Sequence, residues 1–159
     1  MKFEIISEEQ WKSDVKYAAN KVEVYNDIVV PTRKTSRSAG YDFYAPYDFT
    51  LLPGSKTVIP TGIKVELDSD KVLFIAPRSS IGIKYNITMC NTIGIIDSDY
   101  YNNIDNEGHI FIAIKNNGNK DFHCKKGDRF AQGVILSFFT TEDDNTTKVR
   151  TGGIGSTGV

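Results

Sequence analysis

Ile63-Lys64-Val65-Glu66-Leu67-Asp68 alternates apolar and charged side chains without a break. A period of two puts every second side chain on one face, the pattern of a half-buried β-strand. Similar short runs flank it on both sides. Val22, Val24 and Ile28 to Val30 form an extended stretch, and Val72 to Ala76 is an apolar run that stops at Pro77. Ile87 to Cys90 and Ile93 to Ile96 follow. Ile110, Ile112 and Ile114 then alternate and run into Asn116-Asn117-Gly118-Asn119, whose residues tolerate turn conformations. Phe130 to Phe139 closes the apolar part, and Leu52-Pro53-Gly54 is a further turn signal. Many short strands separated by turns predict an all-β sandwich or barrel, with no helix–strand alternation of the α/β kind.

Two ends differ from this core. Ser7-Glu8-Glu9-Gln10 has the form of a capping box, and Trp11, Val15 and Ala18 follow near helical spacing, which predicts a short helix over 8–19. Residues 1–20 are therefore expected to be an N-terminal helical extension, outside a β core over 21–139, where they could serve an oligomer or partner contact. Residues 140–159 are polar, and four glycines fall between 152 and 158. Such a segment cannot bury enough apolar surface to order itself, so a flexible arm is expected.

The composition narrows the function classes. The 159 residues carry 40% hydrophobic and 25% charged side chains and a net charge of −1. That is a globular composition. It disfavours a disordered chain and a strongly basic nucleic-acid binder. No apolar run reaches the ~20 residues of a membrane span, and the first residues are acidic where a secretion signal is apolar. Cys90 and Cys124 form no disulfide framework, and no Cys/His cluster has zinc-like spacing. These features together predict a reduced, cytoplasmic, single-domain protein.

Five segments break the strand pattern: Ser38-Ala39-Gly40-Tyr41-Asp42, Pro77 to Gly82, Gly94 to Tyr100, Gly127 to Gly133, and Arg150 to Gly158. Taken singly, none is convincing, since each reads more readily as a solvated turn, a cap or a linker. Their chemistries are complementary. Phosphates call for Arg, hydroxyls and closely approachable backbone N–H groups. Hydrolysis calls for a carboxylate to activate water, and a polyphosphate brings Mg²⁺, which prefers carboxylate and water oxygens. Gly155-Ser156-Thr157-Gly158 is cradle-like but lacks the spacing and Lys of a Walker loop.

In this order the five segments resemble the motifs of the trimeric dUTP nucleotidohydrolases (dUTPases), and Asn91-Thr92-Ile93-Gly94-Ile95-Ile96-Asp97-Ser98-Asp99-Tyr100 is the most specific match. The resemblance implies a distorted jelly-roll, or β-clip, barrel and a homotrimer with shared active sites. The implied reaction is dUTP and water giving dUMP and pyrophosphate with Mg²⁺, in dUMP supply and the exclusion of uracil from DNA. It further implies that Asp97 activates the water. An ordinary aspartic acid is ionised at neutral pH, the form a base needs. Tyr100 would pack on the deoxyribose and leave no room for a 2′-hydroxyl. Asn91, Gly94 and Ile96 would belong to the hairpin that reads uracil. Arg78, Ser79 and Ser80 would bind phosphate, with Gln132 near the α-phosphate and Arg129 stabilising charge. Asp42 would hold Mg²⁺ through its water shell. Arg150, or Lys148 as second candidate, would grip the outer phosphates with Gly155, Ser156 and Thr157.

The chain departs from the family pattern at Ile154, where an aromatic usually stacks on the base, and in the Asn-rich stretch 101–108. Two alternatives stay open. A dCTP deaminase shares the fold, but its catalytic Glu has no counterpart between Glu107 and Glu142. A dUTP-sensing module that binds a regulatory protein partner is the other.

Overall fold

The computed structural model describes residues 1–15 and 24–153. The fold is all-β with short helical insertions. Its strands are β1 (Lys2–Ile5), β2 (Tyr41–Tyr44), β3 (Phe49–Leu51), β4 (Lys56–Pro60), β5 (Ile63–Glu66), β6 (Lys71–Pro77), β7 (Ile87–Met89), β8 (Gly94–Ile96), β9 (Phe111–Asn116), β10 (Phe122–Cys124) and β11 (Arg129–Ser137). The helices are α1 (Glu8–Asp14), a 3₁₀ turn at Tyr25–Asp27 and α2 (Ser79–Tyr85). A four-stranded sheet runs β2-β11-β6-β8 and a three-stranded sheet β4-β9-β7, with two-stranded pairs β1-β5 and β10-β3. Every strand pair is antiparallel.

The alternation read from the sequence sets the faces. In β5, Ile63 and Val65 are buried while Lys64 and Glu66 are not. Ile110, Ile112 and Ile114 are fully buried and meet Ile59, Ile63 and Phe130 in one core.

The N-terminal segment is built into that core, which corrects its expected place outside it. Lys2 to Ile5 pair with Glu66 to Ile63, and the Phe3 ring meets Phe43 edge-on at 5.9 Å. Ser7 caps α1 by accepting from the Gln10 N–H at 3.1 Å, as the capping box predicts. Trp11 is fully buried, so its truncation is worth about 3–5 kcal/mol. The helix closes at Val15, and the expected continuation to 19 lies outside the described residues. One helix was not foreseen. Pro77-Arg78-Ser79-Ser80 reads as a turn, yet Ser79 opens α2, which buries Ile81 and stops at Asn86 in the left-handed region (φ 55°). Gly82 in its middle and the lack of a side-chain cap at Arg78 explain why no helical signal reaches the sequence.

Candidate active site

The β2-β11-β6 pairing gathers the first, second and fourth segments. Across β11, Gln132 lies opposite Asp42 on one side and Ala76 on the other. Arg78 leaves the end of β6, and Ser79 and Ser80 are exposed at the start of α2. Asp42 is buried; its carboxylate accepts from Arg129 Nη1 at 3.0 Å and forms an ion pair with Arg78, whose Nε lies 3.2 Å from Oδ1. Two guanidiniums around one carboxylate leave this cluster with a surplus positive charge beside two exposed hydroxyls, a suitable environment for phosphate. Gly40 leaves room for the Gln132 amide: a Cβ on it would lie 2.9 Å from Gln132 Oε1 and displace it.

The third and fifth segments form a second cluster. The turn before β8 runs through Thr92, a β-branched residue at φ 67°, a strained conformation of the kind found at ligand sites. Gly94 packs closely on β6: a Cβ on it would meet Ile75 Cβ at 3.1 Å and push the strands apart by a few tenths of an ångström. Asp97 follows β8 with its side chain 60% exposed. Arg150 reaches it from 53 residues away, Nη2 to Asp97 Oδ2 at 3.1 Å, while Nε contacts Asp99 Oδ1 at 3.1 Å. The same guanidinium lies over the Tyr100 ring, 5.5 Å from its centroid. Gly153 N–H donates to Asp105 Oδ2 at 2.8 Å and holds the arm down. The sequence reading assigns Arg150 to phosphate. In the free chain its partners are Asp97 and Asp99, and Lys148 is exposed. Ile154, Gly155, Ser156 and Thr157 lie outside the described residues.

Tyr100 is buried, and that burial raises its phenol's pKa. Its O–H donates to the His109 carbonyl at 2.9 Å and accepts from Asn106 Nδ2 at 2.8 Å. Asp99, Asp105, Asn106 and His109 were missed by sequence reasoning. The Asn-rich 101–108 stretch was the available signal, since Asn side chains build local turns: Asn103 Oδ1 accepts from the N–H groups of Asp105 and Asn106.

The two clusters do not meet within one chain. Leu73 pairs with Ile96 and Ile75 with Gly94, so Asp97 lies beyond the Val72 end of β6 while Arg78 lies beyond the other end. Five to six extended residues separate them by about 17–20 Å. Between α2 and the Thr92 turn runs a groove of about 440 Å³ lined by Arg78, Ser79, Ile83, Met89 and Thr92. Among the described residues no group of three His, Cys, Asp or Glu side chains could hold a metal directly. Each Asp42 oxygen is already paired with a guanidinium, and the remaining lone pairs suit a water better than an ion.

The profile of the dUTPase family matches residues 26–158. The deoxyuridine 5′-triphosphate nucleotidohydrolase of Lactococcus lactis is 43% identical over 133 residues, covering 82% of this chain and 89% of its own. The chain belongs to the dUTPase family. The Treponema denticola dUTPase is 38% identical over 138 residues, covering 82% of this chain and 92% of that one. The crystal structure of dUTPase from Streptococcus mutans superposes with a TM-score of 0.71 at 32% identity, over 89% of this chain and 99% of its own. A dUTPase from phage phi11 of S. aureus shares the fold at 24% identity and a TM-score of 0.64, over 77% of this chain and 92% of its own. The family match begins at residue 26, so β1 and α1 are parts of this dUTPase's core that the family profile does not include.

Proposed function

We propose that the chain hydrolyses dUTP to dUMP and pyrophosphate in a site assembled from more than one copy. The observation that carries the reading is that the described parts of five segments scattered over the sequence fold into two clusters. One is cationic and hydroxyl-rich. The other carries an exposed aspartate beside an aromatic ring. Each supplies what the other lacks, and a distance of about 17–20 Å is far beyond the hydrogen-bond reach a base needs. A homotrimer brings them together between neighbours. Exposed apolar residues of the β2-β11-β6-β8 sheet and of the segment after β11, Ile95, Leu136, Phe138 and Phe139, offer the surface for that contact.

Asp97 accepts a proton from the water that attacks the α-phosphorus. The bond from that phosphorus to the bridging oxygen breaks, and pyrophosphate leaves. Arg78, Arg129, Ser79, Ser80 and Gln132 bind the phosphate chain and offset charge that grows on it. Asp42 would hold Mg²⁺ through the ion's water shell, and the ion would supply positive charge to offset the negative charge of the triphosphate. Arg150 now pairs with Asp97 and Asp99, and the nucleotide's outer phosphates compete for its guanidinium, freeing Asp97 for water. Tyr100 packs on the deoxyribose, and the Asn91–Ile96 hairpin reads uracil, since a backbone donor and acceptor matched to uracil would be left unpaired by cytosine. Such a site discriminates by up to ~10⁴-fold. No helix among the described residues could cross a membrane, and the reading places the enzyme in the cytoplasm. The test is pyrophosphate release from dUTP, dCTP, UTP and dTTP, with Mg²⁺ and with chelator. Release confined to dUTP and dependent on Mg²⁺ is expected; ammonia from dCTP, or no release from dUTP, overturns it.

A further inference from the structure

The His109 ring is fully buried, although the proposed reaction makes no use of it. Its Nε2 accepts from the Gly62 N–H at 2.8 Å, so the ring proton of the neutral imidazole is on Nδ1. Nδ1 then donates to Asp14 Oδ2 at 2.6 Å, an oxygen that also accepts from Gln10 Nε2 at 3.0 Å. Asp14 is the last residue of α1, 95 residues away in sequence. The ring is packed against Phe111 at 4.3 Å and Trp11 at 6.1 Å. Residue 109 is thus fixed by α1 on one side and by the β5 entry on the other. Its carbonyl is the acceptor for the Tyr100 O–H.

A parallel set of contacts ties the same loop to the same helix. Ser7, the cap of α1, donates to Glu107 through both its hydroxyl and its N–H, and Lys64 Nζ reaches Glu107 Oε2 at 3.2 Å. Glu107 takes φ 58° and Gly108 φ 82°, where a Cβ on Gly108 would lie 2.6 Å from the Tyr100 carbonyl oxygen. The loop therefore turns sharply under Tyr100 and is held there by α1.

We propose that Asp14 is a positioning residue for Tyr100: by holding His109 it fixes the carbonyl that anchors the tyrosine ring, and so sets the discrimination between deoxyribose and ribose. The inference rests on the reading of Tyr100 as the sugar-facing residue. A ring free to tilt about its Cβ leaves space for a 2′-hydroxyl, whereas a ring anchored through its O–H does not.

The test compares kcat/KM for dUTP and UTP in the full-length enzyme. Asp14→Ala is expected to lower the dUTP/UTP ratio about fivefold, the scale of one net hydrogen bond. A loss of folded enzyme would lower both rates and leave the ratio unchanged, so an unchanged ratio overturns the inference. Asp14→Asn keeps an oxygen that can take both donors, and its ratio is expected within about twofold of the wild type; a loss equal to that of Asp14→Ala would overturn the positioning role. Tyr100→Phe cuts the same tie from the other end without touching α1. It is expected to show the same fivefold fall, and an unchanged ratio there overturns the inference even if Asp14→Ala does not fold. Should the wild type leave dUTP uncleaved, the hydrolytic reading falls by itself, and the ratio is then read from dissociation constants for dUTP and UTP.

Discussion

Gly40→Ala separates the positioning of Gln132 from the stability of the sheet that carries it. The added Cβ would stand 2.9 Å from Gln132 Oε1 and 3.7 Å from its Cβ and Cδ. Only the amide end is too close, and it relaxes by moving about half an ångström toward ordinary contact. The amide is the far end of a half-buried, rotatable side chain, so the folding cost is below about 1 kcal/mol. If Gln132 orients the α-phosphate or its water, a displacement of this size lowers kcat about tenfold, given that about 1 Å costs 10²-fold. The control is its neighbour. A Cβ at Gly133 meets Leu73 Cδ1 at 2.8 Å and Phe43 Cε2 at 3.1 Å, both in fully buried side chains. That overpacking costs about 1–3 kcal/mol, or roughly 2–12 °C in Tm for a chain of this size. Steady-state pyrophosphate release and thermal denaturation of both variants decide the matter. Gly40→Ala with wild-type kcat, or with the Tm loss of Gly133→Ala, would refute the reasoning.

Asp97→Asn is expected to fold and bind dUTP but to lose at least ~10²-fold in kcat, the scale of a positioned base; near-wild-type turnover removes Asp97 from the mechanism. Thr92→Gly relieves a β-branched residue at φ 67° and is expected to raise stability by about 1 kcal/mol in denaturant titration, whereas a loss would show that the Thr92 side chain holds the turn. Burial pushes Glu107 up, but hydrogen bonds from Ser7 and Lys64 outweigh it and hold the carboxyl below the ordinary 4.5. A depressed carboxyl stabilises the fold fully above that pH and loses the contribution as pH falls through the folded value. Glu107→Gln should therefore flatten the acid limb of the stability profile, and an unchanged limb would contradict this.

Much of the barrel is legible along the chain because burial in a strand has a period of two. Ile63, Val65, Ile112 and Ile114 announce their faces in any context. The Ser7 cap is equally local. β1 is harder to see: Phe3 and Ile5 alternate over four residues only, and its partner β5 is some sixty positions away. α2 carries a glycine and no cap, and tertiary packing of Ile81 accounts for it better than propensity. The chemistry of the candidate site was readable by residue type, but its division was not. That Asp97 and Arg78 fall at opposite ends of β6 follows from the β6–β8 register, and Ser7 finds Glu107 across 100 residues. Neither relation leaves a periodic or local trace.

The claim on which the rest depends is that one working site draws its halves from different copies. Asp97→Asn and Arg78→Ala, each inactive alone, are mixed, unfolded and refolded together, and pyrophosphate release from dUTP is measured. With halves supplied by adjacent copies, random assortment in a closed ring restores both intact halves in about a quarter of the sites, so activity near a quarter of the wild-type value is expected. A mixture as inactive as either variant would place the whole site within one chain and contradict the account.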